Sequence, residues 1–150
     1  MSLFTIFNVA GSAVSAQSQR LNVIAELLAF FVHAVDRLVS ERGFEEAKRR
    51  ELITALAKSL AKTMHDNRVD FEGEGNHREV FVNLLNERMS EYAGFNYIDG
   101  EPGFQLRRRV GEHVQAMMGE KNNKWVPDQV IEIEIPEAMK VLKKAARNLV

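Results

Sequence analysis

The stretch Leu21-Asn22-Val23-Ile24-Ala25-Glu26-Leu27-Leu28-Ala29-Phe30-Phe31-Val32-His33-Ala34-Val35-Asp36-Arg37-Leu38 decides the fold. Its large apolar residues Leu21, Ile24, Leu28, Phe31, Val35 and Leu38 recur at intervals of three and four, which places them along one face of an α-helix. Between Leu27 and Val32 that helix is apolar on every side, so a central position with neighbours all round is expected. The helical pattern runs from about Ser12, or from as early as Leu3, to Arg42. Gly43 supplies the stop, because glycine tolerates the left-handed conformation that follows a helix C-terminus.

Four further helices follow, separated by glycine, proline and asparagine. The second covers about Phe44 to Asp66, with Glu45 and Glu46 suited to the positive end of the helix dipole and Leu52, Ile53, Leu56, Leu60 and Met64 as its stripe. Residues Asn67 to Asn76 read as a loop. The third, about His77 to Ala93, buries Phe81, Leu84, Leu85 and Tyr92, and Asp99-Gly100-Glu101-Pro102-Gly103 is a turn. The fourth, about Phe104 to Met118, carries Leu106, Val110 and Val114. A polar loop, Gly119 to Pro127, holds Trp125. Val130-Ile131-Glu132-Ile133-Glu134-Ile135 alternates with period two, the pattern of a short extended segment, and has no partner strand in the chain. It would serve as an arm, or as an edge pairing with another subunit. Pro136 then opens a fifth helix to about Leu149. The class expected is all-α: about five helices in a compact bundle around a long central first helix.

Bulk properties bound the function. A chain of 150 residues is one ordinary domain, large enough to fold without a disulfide or metal staple. With no cysteine, thiolate metal sites, iron–sulfur clusters and cysteine nucleophiles are excluded. Twenty basic and 21 acidic side chains leave a net charge of −1, without the basic excess of a phosphate-neutralising nucleic-acid binder. The longest strongly apolar run, Leu27 to Val32, is far short of the ~20 residues of a membrane span. Val14-Ser15-Ala16 imitates a signal-peptidase site, but no basic region precedes it, and Asn8 and Gly11 interrupt the apolar stretch. A cytoplasmic protein without cofactor or metal is the expectation.

His33, Asp36 and Arg37 fall within about one helical turn. A histidine beside a carboxylate can form a proton-transfer pair or donate two metal ligands. The competing reading is a buried polar cluster completed from the third helix by Asn86, Arg88 or Glu91, since buried charges require partners. Asp70, Glu72 and Glu74 with Gly75 imitate the start of an EF-hand loop, but Phe81 occupies the position where a bidentate glutamate is needed. Arg107-Arg108-Arg109, near Lys121 and Lys124, is a basic cluster whose first three members fan over ~200° of a helix and so form no single stripe. Gly73-x-Gly75 lacks the rest of a dinucleotide fingerprint, and neither a Walker A sequence nor a Gly-x-Ser-x-Gly elbow exists. His65, His77 and His113 are scattered along the chain. No strong enzymatic signal is present.

The segment Ser2-Leu3-Phe4-Thr5-Ile6-Phe7-Asn8-Val9-Ala10-Gly11-Ser12-Ala13 continues as Val14-Ser15-Ala16-Gln17-Ser18-Gln19-Arg20-Leu21-Asn22-Val23. It resembles the amino terminus of bacterial flagellar basal-body rod proteins, the proximal-rod type most closely, in its Ile6-Phe7-Asn8-Val9-Ala10-Gly11-Ser12 opening, its Ala16-Gln17 pair and its Arg20-Leu21-Asn22. The resemblance covers residues 2–24, about one-sixth of the chain. It implies a helix that packs against a C-terminal helix in the rod, and a neighbourhood that directs export through the flagellar type III apparatus. The family's Ser-Asn-Leu-Ala-Asn motif is replaced here by Glu26-Leu27-Leu28-Ala29-Phe30, and the helix expected from Pro136 does not look like a rod protein's.

These readings combine into a division at residue 24: a rod-protein-like segment, 1–24, running into a helical domain, 25–150. The function expected is that of a non-enzymatic helical interaction protein, linked to flagellar export or assembly through its first segment and placed at the basal body if exported. A protein partner or a homodimer is expected, and neither nucleic acid nor a membrane. The alternative is a helical domain with a small ligand- or metal-binding site near His33 and Asp36.

Overall fold

The computed structural model describes residues 14–118 and 125–146. The rod-like opening before Val14, residues 119–124 of the expected polar loop with Lys121 and Lys124, and residues 147–150, where the fifth helix is expected to end, lie outside the described residues. The protein is all-α, with a single two-stranded hairpin among the described residues: α1 (Val14–Glu41), α2 (Glu46–Glu72), α3 (His77–Tyr92), β1 (Tyr97–Ile98), β2 (Glu101–Pro102), α4 (Phe104–Met117), α5 (Val126–Gln129), a π-helical turn at Val130–Glu134, and α6 (Ile135–Ala146).

Helix α1 is central, and the reason is visible in which residues it hides. Leu21, Ala25, Ala29 and Val32 pack with Ala61 and Met64 of α2 and with Phe81 and Leu85 of α3. Val23, Phe30, Ala34 and Leu38 pack with Tyr92, with Leu106, Val110 and Val114 of α4, and with Val126, Val130, Ile135, Met139 and Leu142. At about 100° per residue these two sets occupy different sides of α1. Large residues on the expected stripe, such as Ile24, Leu28, Phe31 and Val35, are only partly buried, because they fall between or beside the two cores. Fully hidden positions include the small residues Ala25, Ala29 and Ala34, at 3%, 0% and 0% exposure. Periodicity counted on large side chains alone therefore finds the helix but misplaces its core.

Helix ends follow local chemistry. Gly43 (φ 82°) ends α1 with its N–H donating to Ser40 O and the N–H of Phe44 donating to Val39 O, the two bonds of a Schellman cap. Helix α2 continues six residues past Asp66, to Glu72, and ends at Gly73 (φ 79°). Asp70 and Glu72 are therefore helical, Glu72 pairs with Arg68 at 2.8 Å, and the loop expected over 67–76 shrinks to residues 73–76. A calcium loop starting at Asp70 is ruled out by this geometry. The hairpin pairs Tyr97 with Pro102 and Ile98 with Glu101. Its turn residues Asp99 (φ 52°) and Gly100 (φ 76°) both lie at positive φ, as a two-residue hairpin loop of this hand demands.

The segment Val130–Ile135 is not extended. The helix beginning at Val126 runs through it to Ala146, widened by one π turn in which the Ile135 N–H donates to Val130 O. Buried Val126, Val130, Ile135, Met139 and Leu142 are spaced four, five, four and three. In a strict α-helix the five-residue step would swing Ile135 about 140° away from Val130. The wider turn brings it back to the same face, so burial of the stripe outweighs the poorer hydrogen-bond geometry. Period-two alternation fails as well, since Ile133 is exposed like Glu132. Pro136, expected to open a helix, is instead the second residue of α6, directly after the wide turn. With no free strand edge here, pairing of this segment across a dimer has no structural basis. Helix α5 reaches α4 at Gly111, where a Cβ would lie 2.8 Å from Pro127 Cα.

Candidate functional site

Between the two apolar faces of α1 runs a line of polar side chains, Asn22, Glu26, His33 and Arg37, spaced four, seven and four. That spacing keeps them on one edge of the helix, facing α3, the end of α2 and the hairpin. Glu26 and His33 are the buried polar residues of the core, at 1% and 2% exposure. Each member of the line has its own partner.

Glu26 accepts a fork of two hydrogen bonds from Arg88 of α3, Nε to Oε1 at 2.7 Å and Nη2 to Oε2 at 2.9 Å. The hydrogen bond to Glu26 holds the Arg88 guanidinium above its usual pKa, against the opposing effect of burial. One turn earlier, Asn22 Oδ1 accepts from Arg68 Nη2 at 2.7 Å. His33 Nδ1 lies 3.0 Å from the Tyr97 hydroxyl, and its ring stands edge-on to Tyr92, with centroids 5.7 Å apart. Burial, and then the nearby Arg37 charge, lower the His33 pKa to about 4, so the imidazole is neutral at pH 7. Burial likewise raises the phenols of Tyr92 and Tyr97. Arg37 donates to the carbonyls of Ala93 and Phe95 at 3.2 and 3.4 Å and sits over the Tyr97 ring at 5.4 Å. It thereby secures the chain between α3 and the hairpin.

The six residues singled out from sequence are thus divided among several partnerships. His33 and Arg37 meet at Tyr97. Asp36, one turn on, points the other way and pairs with Arg49 of α2 at 3.2 Å, part-exposed. Arg88 belongs to Glu26. Glu91 turns toward α4, where Arg109 Nε donates to it at 2.9 Å and His113 Nε2 binds its other oxygen. Although burial acts the other way, those two hydrogen bonds hold the Glu91 carboxyl below its usual range. Asn86 is exposed on α3, beside a groove of about 430 Å³ between α2 and α3. His33 and Asp36 do not face each other, so no histidine–carboxylate dyad forms at the place where the sequence put one.

Glu26 is the residue that sequence reasoning passed over. Its signal was a carboxylate in the middle of an apolar run, four residues before Phe30 and seven before His33. Tyr92 and Tyr97 complete the line. The Tyr92 hydroxyl is buried without a hydrogen-bond partner among the described residues, in the field of the Glu26–Arg88 pair. The basic run is dispersed: Arg107 donates to Ile131 O, Arg108 pairs with Glu112, and Arg109 joins Glu91 and Glu112. His65 and His77, twelve residues apart in sequence, bring their rings to 5.6 Å. Among the described residues no group of three or more His, Cys, Asp or Glu side chains could hold a metal ion, and no helix is long and apolar enough to cross a membrane.

The chemistry available is therefore mutual satisfaction of charge and hydrogen bonds across helix contacts. The hydroxyl that lies beside a base in this line is that of Tyr97, 3.0 Å from His33 Nδ1, and burial raises its phenol and so opposes loss of its proton. No family model and no solved structure matches the chain. One short segment does have a counterpart. Over 29 residues, 19% of this chain, it is 72% identical to the flagellar basal-body rod protein FlgC of Buchnera aphidicola subsp. Acyrthosiphon pisum. That segment spans 21% of the rod protein's length, so the likeness is to a piece of each chain.

Proposed function

We propose that the protein is a non-enzymatic helical interaction protein, tied to flagellar export or assembly through its first two dozen residues. The observation that carries this reading is the 72% identity over 29 residues with a flagellar rod protein. Identity at that level over 29 residues is long for chance and supports a shared origin of this segment with the rod protein's. The polar line along α1 supports the non-enzymatic part, because each of its members is held by a partner on a neighbouring element. In this reading residues 1–24 are the recognised segment and residues 25–150 a helical domain carried with it, resident in the cytoplasm or delivered to the basal body.

The test is an export assay. Residues 1–24 fused to a reporter, expressed in a flagellated bacterium, are expected in the medium. Export should disappear in a strain whose flagellar type III apparatus is inactive. A reporter retained in the cytoplasm of the export-competent strain overturns the export reading. Recovery of the full chain with isolated basal bodies would then be the remaining support for an assembly role.

A further inference from the structure

Of the four histidines two are already taken, His33 by Tyr97 and His113 by Glu91. The other two, His65 on α2 and His77 at the start of α3, lie on either side of the exposed turn 73–76. They bring their rings to 5.6 Å, tilted by 49°. His77 is held from behind. Its Nε2 lies 2.8 Å from Gly73 O, and a carbonyl only accepts, so in the neutral ring Nε2 carries the proton and Nδ1 the lone pair. The ring also lies against the turn, where a Cβ on Gly75 would stand 3.2 Å from His77 Cε1. One ring nitrogen donating to a backbone carbonyl, with the other left as a lone pair, is the arrangement of a metal-bound histidine.

His65 supplies the complementary half. Its Nδ1 is buried without a hydrogen-bond partner among the described residues, and a polar nitrogen withdrawn from water ordinarily has one. Asp66, the next residue, is held by Lys62 at 2.9 Å, so the two imidazoles are the ligands on offer here. Their spacing suits a shared ion. At Zn–N distances of about 2.0–2.1 Å a metal lies about 3.2 Å from each ring centroid, which puts two rings on a tetrahedral ion about 5.2 Å apart. The observed 5.6 Å needs only a slight opening of the tetrahedral angle. Imidazole ligands select the divalent transition ions, and the exposed turn gives water access to the positions that the protein leaves open.

We propose that His65 and His77 bind a zinc ion, which clamps α2 to α3 across the turn 73–76 while water fills its remaining positions. The site is independent of the flagellar reading, since it depends on no residue before His65. Zinc ion alone is the probe, titrated into the full chain and followed by the imidazole ring signals in NMR. Saturation at one ion per chain is expected, with the His65 and His77 signals moving together and those of His33 and His113 staying in place. His65→Gln and His77→Gln should each weaken zinc at least about tenfold, because loss of an outer-shell partner alone costs a metal site that much. Zinc should raise the melting midpoint of the wild type and leave that of either variant in place. No saturation, or movement of one histidine without the other, overturns the proposal in the wild-type chain alone. So does a zinc affinity in either variant equal to the wild type's.

Discussion

Helix α1 presents a dry face and a polar seam side by side, and they are held by different forces. The dry face, Leu21, Ala25, Ala29 and Val32, meets α2 and α3 through apolar side chains only. Contact there is non-directional, so shape and area decide its strength. The seam, from Asn22 through Glu26 and His33 to Arg37, meets the end of α2, the same α3 and the hairpin through fixed donors and acceptors. Hydrogen-bond partners there have a required position, so a slip of α3 by one turn would orphan Arg88 and Tyr97 together. The dry face supplies stability and the seam supplies register.

Breaking the dry face should have the largest effect. Phe81 is 2% exposed between α1 and α2. Phe81→Ala is expected to cost about 3–5 kcal/mol through lost burial and the cavity left behind, read as a shift in urea midpoint at unchanged slope. Phe81→Leu keeps most of the volume and should cost less than about 1.5 kcal/mol. Equal losses for the two would mean that volume is not what this face relies on.

The seam is tested next at Glu26. Glu26→Ala leaves the mostly buried Arg88 charge without its partner, and about 3 kcal/mol of destabilisation is expected. Here the contrast with Phe81 is sharp, because chemistry and not volume is removed. The pair replacement Glu26→Leu with Arg88→Met should recover most of the loss, since a well-packed apolar pair commonly matches a buried ion pair. Recovery of stability together with broadened amide spectra of α3 would show that the seam sets register. A double variant as unstable as Glu26→Ala would count against that division.

How much of this was legible in the sequence depends on which residues one counts. The central place of α1, its run to Glu41 and the stop at Gly43 follow from local periodicity and glycine chemistry, and all three appear in the structure, while its expected start lies outside the described residues. Half of the seam, His33 and Arg37, together with Arg88 on the third helix, is legible as a polar cluster, whereas Asn22 and Glu26 lie about three and two turns before His33, within a run that reads as apolar. His33 and Asp36 are three apart, about 60° around the helix, which suffices to send one to the hairpin and the other to α2. Which residue each one meets, Arg88 on Glu26, Tyr97 on His33 and Arg49 on Asp36, is set by packing between elements, and no local pattern carries that pairing. The π turn was missed for a related reason. Isoleucines at 131, 133 and 135 satisfy a strand count, while the pattern that wins runs from Val126 to Leu142, longer than the window.

A pH titration addresses the other half of the seam. The His33 pKa falls from an ordinary 6.5 to about 4 in the folded protein, by burial and then the Arg37 charge. The unfolded chain therefore binds the extra proton more readily, and stability declines as pH falls through the window from 6.5 to about 4. Between pH 7 and pH 5 the loss from this residue should be about 2 kcal/mol, and full stability is present above pH 7. His33→Gln, measured beside the wild type in urea at both pH values, should lack that component of the decline. An identical decline in the variant would assign the pH dependence elsewhere, with Glu91, whose carboxyl is held below its usual range, the next residue to test.

The smallest effect is expected at Asp36, and it separates position on α1 from residue type. Asp36 and Glu26 are both acidic, both on α1 and both paired with an arginine of a neighbouring helix. Sequence reasoning placed Asp36 in the buried cluster, where removing it would strand a cation. Its side chain and that of Arg49 are 25% and 34% exposed, whereas Glu26 is 2% exposed. Water can solvate Arg49 once its partner is gone, so no buried charge is orphaned. Arg49 also donates to Ser40 Oγ at 3.0 Å, which anchors it independently of Asp36. Asp36→Ala should therefore cost less than about 1 kcal/mol, and a double-mutant cycle with Arg49→Ala should give a coupling in the same range that shrinks with added salt. If Asp36→Ala destabilises as much as Glu26→Ala, the distinction between a buried seam and an exposed rim on this helix fails, and the ion pair at the α1–α2 junction must be ranked with the core.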